Sequence, residues 1–231
     1  DIGVRVETSA VIAKQLTQDL YESKLIYQTP TFDDKVRTFC MSPEGEVVNE
    51  NNQGLITVNG HSHADIKTEN TNFALLVSKT FTEPFHEPIT YGKNIAKLAN
   101  LLGGGVLIQR LGDLLDGRRS TPSRIDRGII EPTLKQATPG DLSLVFPYRH
   151  LKGIIEMLEA LDNLAPGLYS RDTLLYGVEV KFYSNRISVN DNLETKINNL
   201  YTAGDGAGIT RGLMQASVSG IVIARDILNK E

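Results

Sequence analysis

The chain has 231 residues, of which 40% are apolar and 23% charged, a size and mixture that suit one large globular domain or two small ones. Its net charge of -4 argues against a nucleic-acid binder, which carries a basic excess or a dense basic patch. No apolar run approaches the roughly 20 residues of a membrane span, and the single cysteine, Cys40, excludes an intrachain disulfide and fits a reducing, cytoplasmic setting.

The chain opens on "DIGVRVET", with no initiator Met and no leader. Ile2, Val4 and Val6 alternate with Asp1, Gly3, Arg5 and Glu7, which predicts a strand. A strand at residue one suggests a piece of a longer chain; a processed natural N-terminus is the alternative. Ser9 is placed to cap a helix carrying Ile12, Leu16 and Leu20. "KLIYQ" and "KVRTFCM" are expected as strands, and "SPEGE" as a type I turn with Pro43 second and Gly45 fourth. "EVVNE" and "LITVNG" are predicted as short strands around a polar link, "NENNQG". Residues 72–81, "NFALLVSKTF", are apolar on both faces and predict a central, doubly covered strand.

A helix is expected from Tyr91, with Ile95, Leu98 and Leu102 on its inner face and a stop at Gly103-Gly104-Gly105. "VLIQRLGDLL" fits strand or helix, and "DGRRSTPSRIDRG" reads as a loop. A third helix is predicted over 148–163, with Leu151, Ile154, Ile155, Leu158 and Leu161 inward and Pro166-Gly167 ending it. "TLLYGVEVKFYSNRISV" is expected as a hairpin, with Tyr176, Val178, Val180 and Phe182 on one face and Gly177, Glu179, Lys181 and Tyr183 on the other.

This order lacks the regular strand-helix alternation of a doubly wound sheet. It predicts an α+β fold, with a largely antiparallel or mixed sheet and about three flanking helices. The end differs. Leu200, Tyr201 and Ala203 are expected to close a buried strand, and Gly204, Asp205, Gly206 and Gly208 to let the backbone turn sharply. A helix would begin at Gly208-Ile209-Thr210, with Gly212, Ala216, Gly220 and Ala224 making a smooth face every fourth residue. A helix start presents free N–H groups and partial positive charge. A dinucleotide fingerprint would need a further strand with an acidic residue about 20 positions on, and only 26 residues follow Asp205. A tight turn into a packed helix is the plainer explanation of the same glycines.

"YTAGDGAGITRGLMQASVSGIVIARDI" resembles the C-terminal flavin-binding segment of two-dinucleotide-fold flavoproteins. "IGVRVE", "RTFCMSPEGEVV", "NGHS", "NTNFALLVS", "QRLGDLLDGRR", "PTL", "PGDLS" and "LLYGVEVKFYS" are similar to the C-terminal half of a family of bacterial FAD-dependent dehydrogenases of poorly defined substrate. These blocks span most of the chain. The resemblance implies a substrate or insert domain over 1–198, then the returning strand and helix of an FAD-binding domain over 199–231. The other strands of that domain would lie in an N-terminal half of the same protein. It further implies that Gly204, Asp205, Gly206, Gly208, Ile209, Thr210, Arg211 and Gln215 face FAD. Asp205 would lie at the ribityl chain or pyrophosphate, and the helix start by the N1–C2=O edge of the flavin. The implied activity is hydride transfer between FAD and a small organic substrate, with NAD or NADP as a possible electron donor or acceptor. A non-catalytic module binding a ligand or a partner is the competing class, and no catalytic acid or base emerges from spacing alone.

Other candidates are weaker. Arg110, Arg118, Arg119, Arg124 and Arg127 lie among Asp113, Asp116 and Asp126, five cations against three anions, which suits either an anion site or a loop of internal salt bridges. His61 and His63 would share a strand face, as a metal pair, as a flavin-side proton donor at His61, or as a surface turn; metal is not expected. Cys40 is expected as a buried structural thiol. Glu179 and Lys181 are expected as a solvated pair, with the lining of a substrate cavity as the alternative.

Overall fold

The computed structural model describes residues 1–182, 186–210 and 212–230. The chain divides into two compact units, Asp1–Lys181 and Phe182–Glu231.

The first unit is built on a seven-stranded mixed sheet. Its strands are β1 (Ile2–Ser9), β2 (Ile26–Gln28), β3 (Lys35–Ser42), β6 (Asn70–Val77), β7 (Leu107–Arg110), β8 (Thr138–Pro139) and β9 (Leu174–Val180). They lie in the order β2-β3-β6-β1-β9-β7-β8. Every pair is antiparallel except β7 with β8. Between them in sequence, β4 (Glu46–Asn52) and β5 (Leu55–His61) form a separate hairpin. The α+β class and mixed sheet are as expected. β6 is the doubly covered strand of the sequence, buried at all eight positions, although it starts at Asn70 and stops at Val77.

The helices are α1 (Ala10–Thr17), α2 (Pro88–Gly103), α3 (Leu111–Leu115), α4 (Pro122–Ile125) and α5 (Tyr148–Asp162). Three of them are the expected flanking helices; α3 and α4 are single-turn additions. The ambiguous 106–115 run splits into a strand and a helix, and the 116–128 loop contains α4. Ser9 caps α1 as predicted, its side chain accepting from the Val11 amide at 3.3 Å. Ala13 and Leu16 face inward, while Leu20 falls beyond the helix and is exposed. Gly104 ends α2 with φ +72, the left-handed conformation that glycine adopts without steric cost.

The two faces of the sheet carry different chemistry. On β1, Ile2, Val4 and Val6 point to a core closed by α5 (Leu151, Ile154, Met157, Leu158, Leu161) and α2 (Ile95, Ala96, Ala99). Each fully buried Ile, Leu or Met there contributes about 1.5–3 kcal/mol. The opposite face meets the β4–β5 hairpin and residues 125–137 in a smaller core of Val47, Val58, Ile108, Ile125, Ile130, Leu134 and Tyr176. Both faces are therefore dry, and the residues that alternate with the apolar ones on β1 are buried too.

Several expectations need correction. The predicted inner face of α2 is wrong: Leu98 and Leu102 are exposed, and the buried stripe is Gly92, Ile95, Ala96 and Ala99. Small residues let the helix approach the sheet closely, which a reading by residue size misses. The 42–45 turn has φ +47 at Glu44, its third position, where a type I turn has a negative φ. The polar link 49–54 is mostly strand, because β4 runs to Asn52 and turns at Gln53-Gly54. The 173–189 hairpin is one strand: β9 pairs with β1 and β7, and residues 186–189 carry no strand. Tyr183 lies outside the described residues.

Candidate functional site

The second unit carries the glycine elbow. Gly204 and Gly208 have φ +76 and +70, and a short 3₁₀ turn over Asp205–Ala207 lies between them. The expected buried strand before it does not form. Tyr201 makes a single bridge to Glu194, and Leu200 is half exposed. A strand needs a ladder partner along its length, and here the pairing is confined to the short stretch Leu193–Thr195. The helix also starts later than expected. α6 spans Leu213–Lys230, and the left-handed Gly208 keeps Ile209 and Thr210 outside it.

The elbow is held by its own polar groups. The Asp205 carboxylate accepts from the Thr210 hydroxyl at 2.5 Å. The Gly204 amide donates to Ser219 Oγ at 3.1 Å, and that hydroxyl donates to the Ala216 carbonyl at 2.7 Å. The Ala207 carbonyl accepts from the Ile187 amide at 3.0 Å. Ser219, which the sequence did not single out, thus fixes α6 to the elbow. Around Gly206 the space is open, with no atom within 4 Å of where a side chain would start. Ile209 and Gln215 line an apolar depression of about 350 Å³ with Met214 and Val218. Gly204, Asp205, Gly206 and Gly208 stand beside it in sequence but do not line it, and Arg211 lies outside the described residues. Most of α6 is uncovered: Leu213 is 90% and Met214 74% exposed, and among the described helix residues only Ser219 is buried.

The first unit holds two buried charged networks that sequence reading missed. Arg5 on β1 is fully buried. Its Nε donates to Asn72 Oδ1 at 2.7 Å, and its Nη2 donates to the Cys40 carbonyl at 2.6 Å and to Ser42 Oγ at 3.0 Å. Its Nη1 pairs with Glu179 at 3.5 Å. Lys181 reaches Glu179 at 3.6 Å and Glu50 at 3.3 Å. Glu179 and Lys181 are therefore not a solvated pair: Glu179 is fully buried, and burial raises its carboxyl above the usual range, against the pull of Arg5 and Lys181. Glu7, two residues along β1, accepts from Thr133 Oγ1 at 2.5 Å, from Asn70 Nδ2 at 3.1 Å and from the Tyr176 hydroxyl. Burial raises Glu7, and these donors oppose the rise. Tyr176 is raised by burial and then by Glu7.

The arginine-rich segment is tied by salt bridges within itself and to Arg171 and Asp172. Arg118 reaches Asp113 at 2.9 Å and Asp116 at 3.1 Å. Arg124 reaches Asp113 at 3.9 Å and the Arg119 carbonyl at 2.7 Å, while Arg110 pairs with Asp172 and Arg171 with Asp116. His61 and His63 stand edge to face at 4.5 Å, and His63 Nε2 meets Glu46 at 2.9 Å. Among the described residues no group of three ligating side chains could hold a metal. Cys40 is half-buried, with φ +48 at an irregularity in β3. Among the described residues no helix is long and apolar enough to cross a membrane.

The family model described as "FAD-dependent protein, C-terminal domain-like" matches residues 2–182, and the chain belongs to that family. A protein of Clostridium beijerinckii, described as uncharacterized, is 28% identical over 222 residues. The match covers 90% of this chain and 40% of the relative, so the chain spans about two fifths of that relative's length.

Proposed function

We propose that the protein containing this chain transfers a hydride between FAD and a small organic substrate. In this reading residues 1–198 form the substrate-side domain and 199–231 complete the FAD-binding domain. Family membership over residues 2–182 carries the flavin; hydride transfer is the chemistry that FAD supplies when bound.

The elbow fits such a group. The open space at Gly206 lets a ligand approach the backbone. The first turn of α6 carries no acidic residue to oppose its partial positive charge. Asp205 already accepts one hydroxyl, and a carboxylate that accepts hydroxyls suits the ribityl chain better than the like-charged pyrophosphate. Gly204 and Gly208 shape the turn, Gly206 gives access, and Ile209, Thr210, Arg211 and Gln215 border the isoalloxazine in this proposal. The uncovered apolar residues of α6 are those a helix presents to a sheet, which supports a docking role toward FAD-domain strands elsewhere in the protein. The family description names FAD alone, so NAD and NADP stay outside the proposal.

The test is the visible spectrum of the whole protein, wild type and Asp205→Ala. Flavin bands should be present in the wild type, and the variant should lose most of its flavin on dialysis. A colourless whole protein that takes up no added FAD would remove the proposal. Unchanged flavin content in the variant would remove Asp205 from the site.

A further inference from the structure

The first unit carries a half-open cavity of about 720 Å³ between β7 and the 122–139 loop. That volume lies within the range of small-molecule sites. Its apolar floor is formed by Ile108, Ile130 and Leu134, all members of the smaller core. Pro132 and Pro139 stiffen its wall.

The wall is anchored from behind. Glu7 accepts from the Thr133 amide at 3.3 Å and from its hydroxyl at 2.5 Å. Asn70 Nδ2 donates to the Glu131 carbonyl at 2.8 Å and to Glu7 at 3.1 Å. A buried carboxylate and a buried amide thus fix residues 131–133 to the sheet, so the cavity is preformed.

Its charge is also set. Asp126, Glu131 and Lys135 line it. Lys135 is tied to Glu131 on the next turn of chain, which leaves Asp126 as the uncompensated charge of the lining. Two of the neighbouring arginines are paired with other carboxylates, Arg110 with Asp172 and Arg124 with Asp113. The lining is one negative charge in excess.

We propose that this cavity binds a small molecule with an apolar body and a protonated amine, the amine meeting Asp126. The assignment stands apart from the flavin proposal and needs no flavin for its test.

Three probes that differ only in their polar end separate the possibilities: phenethylamine, 2-phenylethanol and 3-phenylpropionate. Each is titrated into the 231-residue chain and followed by methyl NMR. Phenethylamine should shift the Ile108 and Ile130 signals and bind about fivefold tighter than the alcohol, the upper range for a solvent-screened ion pair. The carboxylate should bind most weakly. Asp126→Asn, at an exposed position, should erase the fivefold preference and leave the alcohol unchanged. Ala137→Phe, which places a ring in the cavity, should abolish all three interactions. The assignment is overturned if the carboxylate matches the amine, or if the preference survives Asp126→Asn. Shifts confined to residues outside 107–139, or no shifts at millimolar probe, overturn it as well.

Discussion

Gly60 on β5 is where the hairpin touches the buried Arg5 network. A side-chain carbon at Gly60 would stand 1.8 Å from Arg5 Nη2, 2.4 Å from Arg5 Cζ and 2.2 Å from Asn72 Oδ1. The tip of a long side chain usually swings aside at little cost. Here it cannot, because Arg5 is fully buried and bonded to Asn72, Cys40, Ser42 and Glu179. Gly60→Ala must push Nη2 off the Cys40 carbonyl and Ser42 Oγ, or lift the hairpin from the sheet. Each hydrogen bond to a charged group is worth about 1.5–3 kcal/mol, and disrupting a buried ion pair costs about 3–5 kcal/mol. We expect a loss of about 3–5 kcal/mol. At about 2–4 °C per kcal/mol for a chain of this size, the melting temperature of the first unit should fall by roughly 6–20 °C. Gly105→Ala is the control, since its new methyl would meet only Ile56 Cγ2 at an ordinary 3.7 Å; it should change stability by less than about 1 kcal/mol. Circular dichroism melts of the three proteins decide the matter. A Gly60→Ala melt within 2 °C of wild type, the margin being about 1 kcal/mol, would refute the claim that Arg5 is immobile.

Two further predictions follow from buried titratable groups. Burial, followed by Lys79, lowers His150 from 6.5 to about 4, so the folded state holds it neutral while the unfolded state protonates it. Its contribution is complete above pH 6.5 and lost as pH falls toward 4, and it reaches about 3 kcal/mol at roughly 1.4 kcal/mol per pH unit. His150→Leu should flatten the stability profile between pH 6.5 and 4 in urea titrations, and an unaltered slope would count against the burial argument. Tyr176→Phe removes one hydroxyl donor from the buried Glu7 carboxylate and should cost about 1–3 kcal/mol. In the folded state Tyr176→Phe should leave the tyrosinate absorbance that develops near pH 10 unchanged, since the Tyr176 phenol is held well above its usual range; a smaller signal in the variant than in the wild type would disprove that.

Much of the architecture was legible because side-chain periodicity reports one-sided burial. α5 obeyed the rule: Leu151, Ile154, Leu158 and Leu161 are buried, and Ile155 is partly buried against the same core. α2 broke it, because Gly92, Ala96 and Ala99 pack by being small and carry little hydrophobic signal. β1 broke it differently. Its Arg5 and Glu7 read as the outward half of an alternating strand, yet the hairpin and the 133 loop cover that face with groups that complement charge. Nothing in a local window shows a partner 174 residues away, such as Glu179 for Arg5. At the elbow, the glycines marked the turn, and φ at Gly204 and Gly208 agrees. Where the helix begins depended instead on Gly208 taking the left-handed conformation, which glycine permits but does not require.

The buried charges also bear on how this sheet chooses one arrangement. A buried ion pair often adds little net stability over well-packed apolar residues, because desolvation offsets the attraction. Its stronger effect is on the alternatives. Arg5 is satisfied only when β3 presents Cys40 and Ser42, β6 presents Asn72 and β9 presents Glu179. Glu7 is satisfied only when β6 presents Asn70, β9 presents Tyr176 and the loop presents Thr133. Slipping β1 by one residue would send Arg5 and Glu7 into the helix-covered core and Val4 and Val6 toward these polar partners. Several buried groups would then lack partners at about 1–3 kcal/mol each, more for the charged ones, enough to exhaust the 5–15 kcal/mol stability of an ordinary domain. The Glu7 bonds that select the register also hold Thr133 in the cavity wall, and the Thr133 hydroxyl in turn accepts from the Val47 amide of the β4–β5 hairpin. The wall at Thr133 is therefore set by β1, through the Glu7 carboxylate on the face away from the helices.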